Sequence, residues 1–404
     1  MSLRNKKLIS YGWTIGILII ILWMVSSPKL AFDAALQGLS LWWNIVFPAL
    51  LPFFIGSELL FGLGFVSLLG GLLEPLMRPI FNLPGSGAFV LAMSYTSGFP
   101  IGSQLTTQIY ENGQINRGEA DRLLAFSNNA SPLFMLGAVA VGMYNNPELG
   151  ILIAICHYLA NICLGLLTSI LSTRNNGLVV GPQMTSISRA FSIYNKQIYR
   201  NYQPMGQRLA QAITKSINVL LLIGGFIILF SVLLAMTKSL GLLTVLNSFF
   251  GVLLALIGFE QSLASGLATG LFEVTLGVKN VAESSSPLKE QVTITTFLLG
   301  WAGLSVHAQV ISIISKTDLS YKRFFLGRLF QASLGGFLVW ILYDTFEQHI
   351  FDSAQTFSQG IHSTSWITQL SNHLIFFVGS MIALTALSAI TYIVINLVRL
   401  VYRK

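Results

Sequence analysis

Four short stretches place small, polar or ionisable residues inside otherwise apolar runs. They are SYTSGFPIGSQ (Ser94 to Gln104), FSNNASPLF (Phe126 to Phe134), SGLATGLFEVTLG (Ser265 to Gly277) and WAGLSVHAQV (Trp301 to Val310). In the first, Gly98 and Gly102 loosen a helix and Pro100 removes a backbone donor, while Ser97 and Ser103 can repair freed carbonyls or face a solute. The second sets Ser127, Asn128, Asn129 and Ser131 before Pro132; the third rings Glu273 with Gly266, Gly270 and Gly277; the fourth carries Trp301, Gly303, Ser305, His307 and Gln309. A half-helix starting at such a break offers free N–H groups and partial positive charge, which suit an anionic ligand group. The chemistry to expect is therefore recognition of a polar solute. Close helix packing is the alternative reading of the small residues, and a neutral core histidine is the alternative for His307.

The surrounding composition says what medium these breaks occupy. The chain has 404 residues, 53% hydrophobic and 9% charged, with a mean hydropathy of +0.71. A soluble domain carries roughly 25% charged residues, so this is a polytopic, all-α membrane protein, and its partner is the lipid bilayer. The net charge of +8 sits in a few loops, as orientation signals do, and implies no nucleic acid. Cys156 and Cys163 are two helical turns apart in one apolar segment, which makes them packing residues. Arg4, Lys6 and Lys7 precede the apolar run Leu8 to Val25, read as an uncleaved first helix. Walker, CxxC, HExxH and GxSxG signatures are missing. No enzyme and no cofactor is expected, and active pumping would draw on a sodium or proton gradient.

Full spans are expected at about 8–25, 41–64, 66–82, 150–172, 214–237, 241–258, 323–343 and 373–398. The regions 85–143 and 262–314 are interrupted, and each is expected to make no net crossing. The loop from Thr173 to Arg208 holds five arginines and lysines and no acid, so it reads as cytoplasmic. The loop from Asp344 to Ser371 holds Asp344, Glu347 and Asp352 without Lys or Arg and reads as external; both termini then read as cytoplasmic. The spans at 41–64 and 214–237 consequently run in opposite directions, each followed by a second span, a Gly/Ser-rich break, a further broken segment and a closing helix. That is the inverted-repeat plan of secondary transporters, with re-entrant hairpins at the breaks. GAFVLAMSYTSG (Gly87 to Gly98) and GLATGLFEVTLG (Gly266 to Gly277) match at three of twelve positions. The organisation expected is an N-terminal helix and external loop (1–38), a first repeat (39–172), a basic connector (173–213), an inverted second repeat (214–343), and an external loop, C-terminal helix and basic tail (344–404). Broken helices survive in hydrocarbon only where protein or a water-filled cavity satisfies them, so the breaks are expected to line a solute site at mid-membrane.

Remaining ionisable residues receive structural readings. Glu58 is expected to pair locally, Glu74 and Arg78 to form a helical ion pair, and Glu111, Arg117, Glu119, Asp121 and Arg122 to form a solvated turn. His157 has no partner visible in the sequence.

The stretches Trp42 to Leu60, Glu74 to Phe89, Ser97 to Leu105 and Phe126 to Met143 resemble the YlbJ (SpoVV) family of sporulation integral membrane proteins, from about Leu39 to Arg328. That family carries the nucleoside-recognition Gate module, shared with concentrative nucleoside transporters and the iron transporter FeoB. The resemblance implies a protein of the outer forespore membrane that moves dipicolinate, a small planar dianion, from the mother cell toward the spore. On that reading Ser97, Gly98, Asn128 and Asn129, with Ser131 beside them, serve one carboxylate. Thr275, Ser305 and Gln309 serve the other, with His307 adding charge if protonated. The ring edge rests on Phe99, Phe126 or Trp301. Glu273 is then protonated, binds the coupling cation, or faces away. A nucleoside cargo, a non-transporting scaffold and a membrane enzyme are the rival classes. Homo-oligomerisation stays open.

Overall fold

A computed structural model describes residues 3–63, 77–171 and 203–358, with a few single positions between 64 and 76. Residues 173–202 of the basic connector expected at 173–213, Glu74 and the expected span at 373–398 lie outside the described residues. Every regular element among the described residues is helical. Among the described residues, four helical stretches are long and apolar enough to cross a membrane: Pro147–Leu171, Met205–Ser239, Leu288–Ile314 and Tyr321–Glu347. The molecule is thus an all-α, multi-spanning membrane protein. Leu288–Ile314 falls in a region expected to make no net crossing; the glycine break is there, at Ala302–Gly303, but the two helices it joins together make a 27-residue stretch long enough to cross.

Helix α1 (Leu3–Ser26) is followed by α2 (Pro28–Leu41), a π-helical turn at Trp42–Val46 and α3 (Phe47–Gly62). Between α1 and α2 the chain bends by 105°. From α2 to α3 it runs against helix α8 (Met205–Ser239) in an antiparallel register. Gly38 meets Ser231, the Trp42 ring lies against Gly224, and Glu58 bonds Lys215 at 3.2 Å. The seam is built of small residues, Ala31, Ala34 and Gly38, which allow close backbone approach where lipid supplies no hydrophobic drive. Trp42 anchors it by donating Nε1–H to Leu220 O at 2.9 Å. The element that the sequence places at 41–64 therefore starts at Pro28, and Glu58 pairs across to α8 rather than locally.

The helices between Ser86 and Ala282 come in short pairs on either side of α8. Helices α4 (Ser86–Ser97) and α5 (Ile101–Glu111) meet at Gly98–Pro100, and α6 (Arg117–Phe126) is followed by an unwound stretch and a π-helical segment, Leu133–Val141. The long α7 (Pro147–Leu171) closes this half. After α9 (Leu242–Leu256), α10 (Ala264–Phe272) and α11 (Val274–Ala282) fold back on one another. A Cβ on Gly277 would overlap Gly270, and one on Gly266 would strike Val281, so the glycines that looked like helix breakers form the hairpin's contact surface. Helix α12 (Leu288–Trp301) passes through Ala302 and Gly303, both at positive φ, into α13 (Gly303–Ile314), and α14 (Tyr321–Ser358) packs along α12 and α7. Because α14 continues past Asp344 and Glu347, these acids lie on a helix and not in a loop; Asp344 pairs with Lys289 at 2.6 Å.

The charged turn at 111–122 is largely put to structural use. Asn116 and Glu119 form a reciprocal capping box on α6, Glu119 also binds Arg78 at 3.0 Å, and buried Asp121 accepts the Ser320 N–H at 2.7 Å. Nearby, the exposed Tyr110 hydroxyl donates to Asp318 at 2.7 Å, with Arg117 at 3.4 Å. Tyr110, and then Arg117, hold the Asp318 carboxyl below the usual carboxylate range. A depressed folded pKa means that this clasp stabilises the fold above the ordinary carboxylate value, about 4. The contribution disappears as pH falls through the lowered one. Thermal unfolding in detergent across pH checks this: wild type should exceed Tyr110→Phe at neutral pH, and the two should converge in acid.

Candidate functional site

The four breaks identified in the sequence pack together in two pairs. In the first half, the α4–α5 tip lies against the unwound stretch after α6. A Cβ placed on Gly98, whose φ is +84°, would come 3.0 Å from Ser131 N and 3.5 Å from Asn129 O. In the second half the contact recurs with the glycine on the other partner. A Cβ on Gly303, φ +75°, would lie 3.0 Å from Val274 N and 3.1 Å from Phe272 O, at the α10–α11 tip. At both junctions backbone meets backbone, and a side chain would hold them apart.

Both junctions open onto one cavity of about 1120 Å³. Small-molecule sites usually occupy ~300–1,000 Å³, so there is room for a metabolite and water. Eight of the twelve residues singled out in the sequence line it: Ser97, Gly98, Phe99, Ser131, Glu273, Thr275, Ser305 and Gln309. The Ser97 hydroxyl is buried and has no hydrogen-bond partner among the described residues. Opposite the tips, α2 and the π-helical turn contribute Gln37, Ser40 and Asn44, and α8 contributes Ile223 and Ile227. Asn44 donates to Ser40 at 3.0 Å. π-helical turns often mark functional positions. The sequence reading missed this wall, although its polar residues recur three and four apart, a helical spacing. It also missed Lys279 and Glu283, which line the cavity and pair with each other at 3.9 Å.

The other four residues, Asn128, Asn129, Trp301 and His307, stand behind the wall as supports. Asn128 Oδ1 accepts both the N–H (3.0 Å) and the hydroxyl (2.8 Å) of Ser103, tying α5 to the unwound stretch. Asn129 donates to Phe126 O and accepts from Gln331 at 2.9 Å. Trp301 donates Nε1–H to Leu271 O at 3.2 Å, satisfying the end of α10. His307 donates Nε2–H to Trp301 O at 3.0 Å and accepts the Tyr321 hydroxyl on Nδ1 at 2.9 Å. Both nitrogens are thus used by a neutral ring packed among Trp301, Phe324 and Phe325. The core-histidine reading is the one this geometry favours.

Glu273 is both wall and cap. Its carboxylate accepts the Leu276 N–H at 2.8 Å, closing the N-terminus of α11. That half-helix end, expected to be open to a ligand, is occupied by the chain's own carboxylate, which does not face away from the cavity. The N-termini of α5 and α13 carry no side-chain cap.

Behind the first junction, three residues on long helices complete the support. His157, without a visible partner in the sequence, accepts the Ala130 N–H on Nε2 at 3.3 Å and lies 3.2 Å from Gln331 Nε2. Arg328, on α14 and fully buried, donates to Asn128 O and, at 2.8 Å, to Ala125 O. An arginine and a glutamine three apart in an apolar span are the signal that could have found Arg328 and Gln331. No group of three or more potential metal ligands occurs among the described residues.

This arrangement can be set beside known proteins. The family model described as nucleoside recognition (Gate) matches residues 44–177, from within the π-helical turn to just past α7. The sporulation integral membrane protein YlbJ of Bacillus subtilis (strain 168) is 40% identical over 382 residues, covering 93% of each chain. The chain belongs to the YlbJ family. It is a transporter-like membrane protein related to the Gate family. No solved structure matches. In the YlbJ-family chain described here, the Gate match holds the first junction with its cavity wall, and the second junction comes from the remainder of the chain.

The division between wall and support is open to test by thermal unfolding in detergent. Asn128→Leu strands the Ser103 N–H and hydroxyl in the interior and should cost about 1–3 kcal/mol. Gln309→Met, at the cavity surface, should unfold close to wild type.

Proposed function

We propose that this protein carries a small anionic metabolite across the membrane through the cavity between the two junctions, and that the metabolite is dipicolinate. The observation that carries the reading is that two separate broken-helix junctions converge on one cavity, where the buried Ser97 hydroxyl has no partner among the described residues. Other buried hydroxyls also lack a bond, Ser216 and Ser231 among them, but Ser97 lies on the cavity wall, where a solute can supply one; a buried hydroxyl without a bond costs about 1–3 kcal/mol.

In this proposal the α4–α5 and α10–α11 pairs are re-entrant hairpins of two inverted repeats. The resemblance of their junctions, with glycine on opposite partners, supports that plan. Ser97 and Ser131 bind one carboxylate of the solute. Thr275, Ser305 and Gln309, beside the uncapped start of α13, bind the other. Phe99 supplies the apolar edge of the wall. Glu273 holds the tip of the second hairpin and takes the coupling cation, sodium or a proton, when the dianion is bound. The membrane is the outer forespore membrane, with both termini cytoplasmic. A nucleoside cargo is the second reading, favoured by the description of the matching family model and by the neutral amides of Gln37, Asn44 and Gln309 on the wall.

Flux into proteoliposomes separates the two. Dipicolinate should enter wild-type vesicles under a sodium or proton gradient, with uridine as the control cargo. Ser97→Ala and Thr275→Val should each weaken apparent affinity about five- to tenfold, the worth of one hydrogen bond. Uridine uptake without dipicolinate uptake would establish the second reading. Absence of both under either gradient would overturn transport.

A further inference from the structure

Arg328 is a buried charge that the scaffold does not need as a charge. It is fully buried on α14, and its two hydrogen bonds go to backbone carbonyls, Asn128 O and Ala125 O. A neutral donor would serve those carbonyls. Its Nε–H is buried without a partner among the described residues. None of the ion pairs formed by the described residues includes Arg328. The C-terminal end of α6 faces it and offsets about half a charge, and the Phe324 ring lies 5.6 Å from the guanidinium carbon. A buried charge left this far from balance is costly unless something else completes it.

The location of the imbalance is specific. Asn128, bonded to the guanidinium, is three residues from Ser131 on the cavity wall, a reach of at most ~11 Å along the chain. The cavity's own cation, Lys279, is half exposed and already paired with Glu283. The wall otherwise offers neutral donors and Glu273.

We infer that Arg328 supplies the fixed positive charge that makes the cavity select an anionic solute, the bound solute completing a balance that the protein leaves open. Arg328 is a positioning and selectivity residue: it holds the unwound stretch through Asn128 and sets the potential behind Ser131, without touching the solute. The inference rests on the transport proposal for the location of the solute and adds the reason for its charge. One unit charge at about 10 Å, in a medium of effective dielectric constant about 20, changes affinity roughly 15-fold for each solute charge.

The test is equilibrium binding to the purified full chain in detergent, with dipicolinate and its neutral diamide as paired probes. Arg328→Gln keeps hydrogen-bonding capacity and removes the charge. It should weaken dipicolinate at least about 15-fold and leave the diamide within about threefold. Arg328→Lys keeps the charge and should keep the preference for the dianion. Equal weakening of both probes by Arg328→Gln, or no change in either, would overturn the inference. Should Arg328→Gln fail to fold, thermal stabilisation of the wild type decides. Stabilisation by dipicolinate and not by the diamide supports the fixed charge; equal stabilisation, or none by dipicolinate, overturns it. Binding is read apart from flux. Charge-selective binding without flux would remove the transport reading and leave the role of Arg328 standing.

Discussion

A helix interrupted inside an apolar interior releases backbone N–H and C=O groups where there is no water to take them, at several kcal/mol each. Everything else in this molecule is arranged around satisfying them. At the first junction Asn128 takes the Ser103 N–H, while two helices supply His157 for the Ala130 N–H, Arg328 for the Ala125 and Asn128 carbonyls, and Gln331 to hold Asn129. Glu273, Trp301 and His307 do the same at the second, with Tyr321 fixing the histidine. The long helices α7 and α14 carry His157, Arg328 and Gln331 at the first junction, and α14 contributes Tyr321 at the second.

That constraint explains why the cavity lies where it does. Two junctions whose backbones touch through Gly98 and Gly303 leave a space between them that side chains from the junctions themselves do not fill. The paired helices α2–α3 and α8 bound the same space, locked to each other by Trp42 in the notch at Gly224. The π-helical turn follows directly on that lock and includes Asn44, one of the three polar residues of this wall. Packing and cavity lining are thereby divided between different faces of one element: Ala31, Ala34 and Gly38 seat it on α8, while Gln37, Ser40 and Asn44 line the cavity.

The same economy appears in the electrostatics. Acids that looked solvated in the sequence cap helices and clasp loops: Glu119 closes α6, and Asp121 holds the chain entering α14. Glu273 caps the helix whose positive end looked available to a ligand. Negative charge is therefore largely committed to the fold, while one buried positive charge, on Arg328, is not matched by any of the ion pairs among the described residues. The negative charge proposed for the solute rests on this imbalance, which is set by the scaffold rather than by the cavity wall.

Composition and the four polar breaks were enough to establish a polytopic helical membrane protein and to locate the parts of the chain that meet at the cavity. The medium dictates this: in hydrocarbon, a polar or glycine-rich interruption is expensive, so its position in the sequence is informative by itself. Hydropathy could also find α7, α8 and α14, since each buries a continuous apolar run. Which of the polar residues face the cavity was not legible. Ser97 and Ser131 reach the cavity while Asn128 and Asn129, from the same stretch, turn to Ser103 and Gln331, because a broken backbone needs partners before a ligand does. The wall on α2 was equally hidden, since its polarity only acquires meaning once Gly38 and Trp42 fix which face turns inward. Arg328 could be seen as an arginine in an apolar span, but its want of an acidic partner is a statement about neighbours some 200 residues away in the chain. Such a relation exists only after folding.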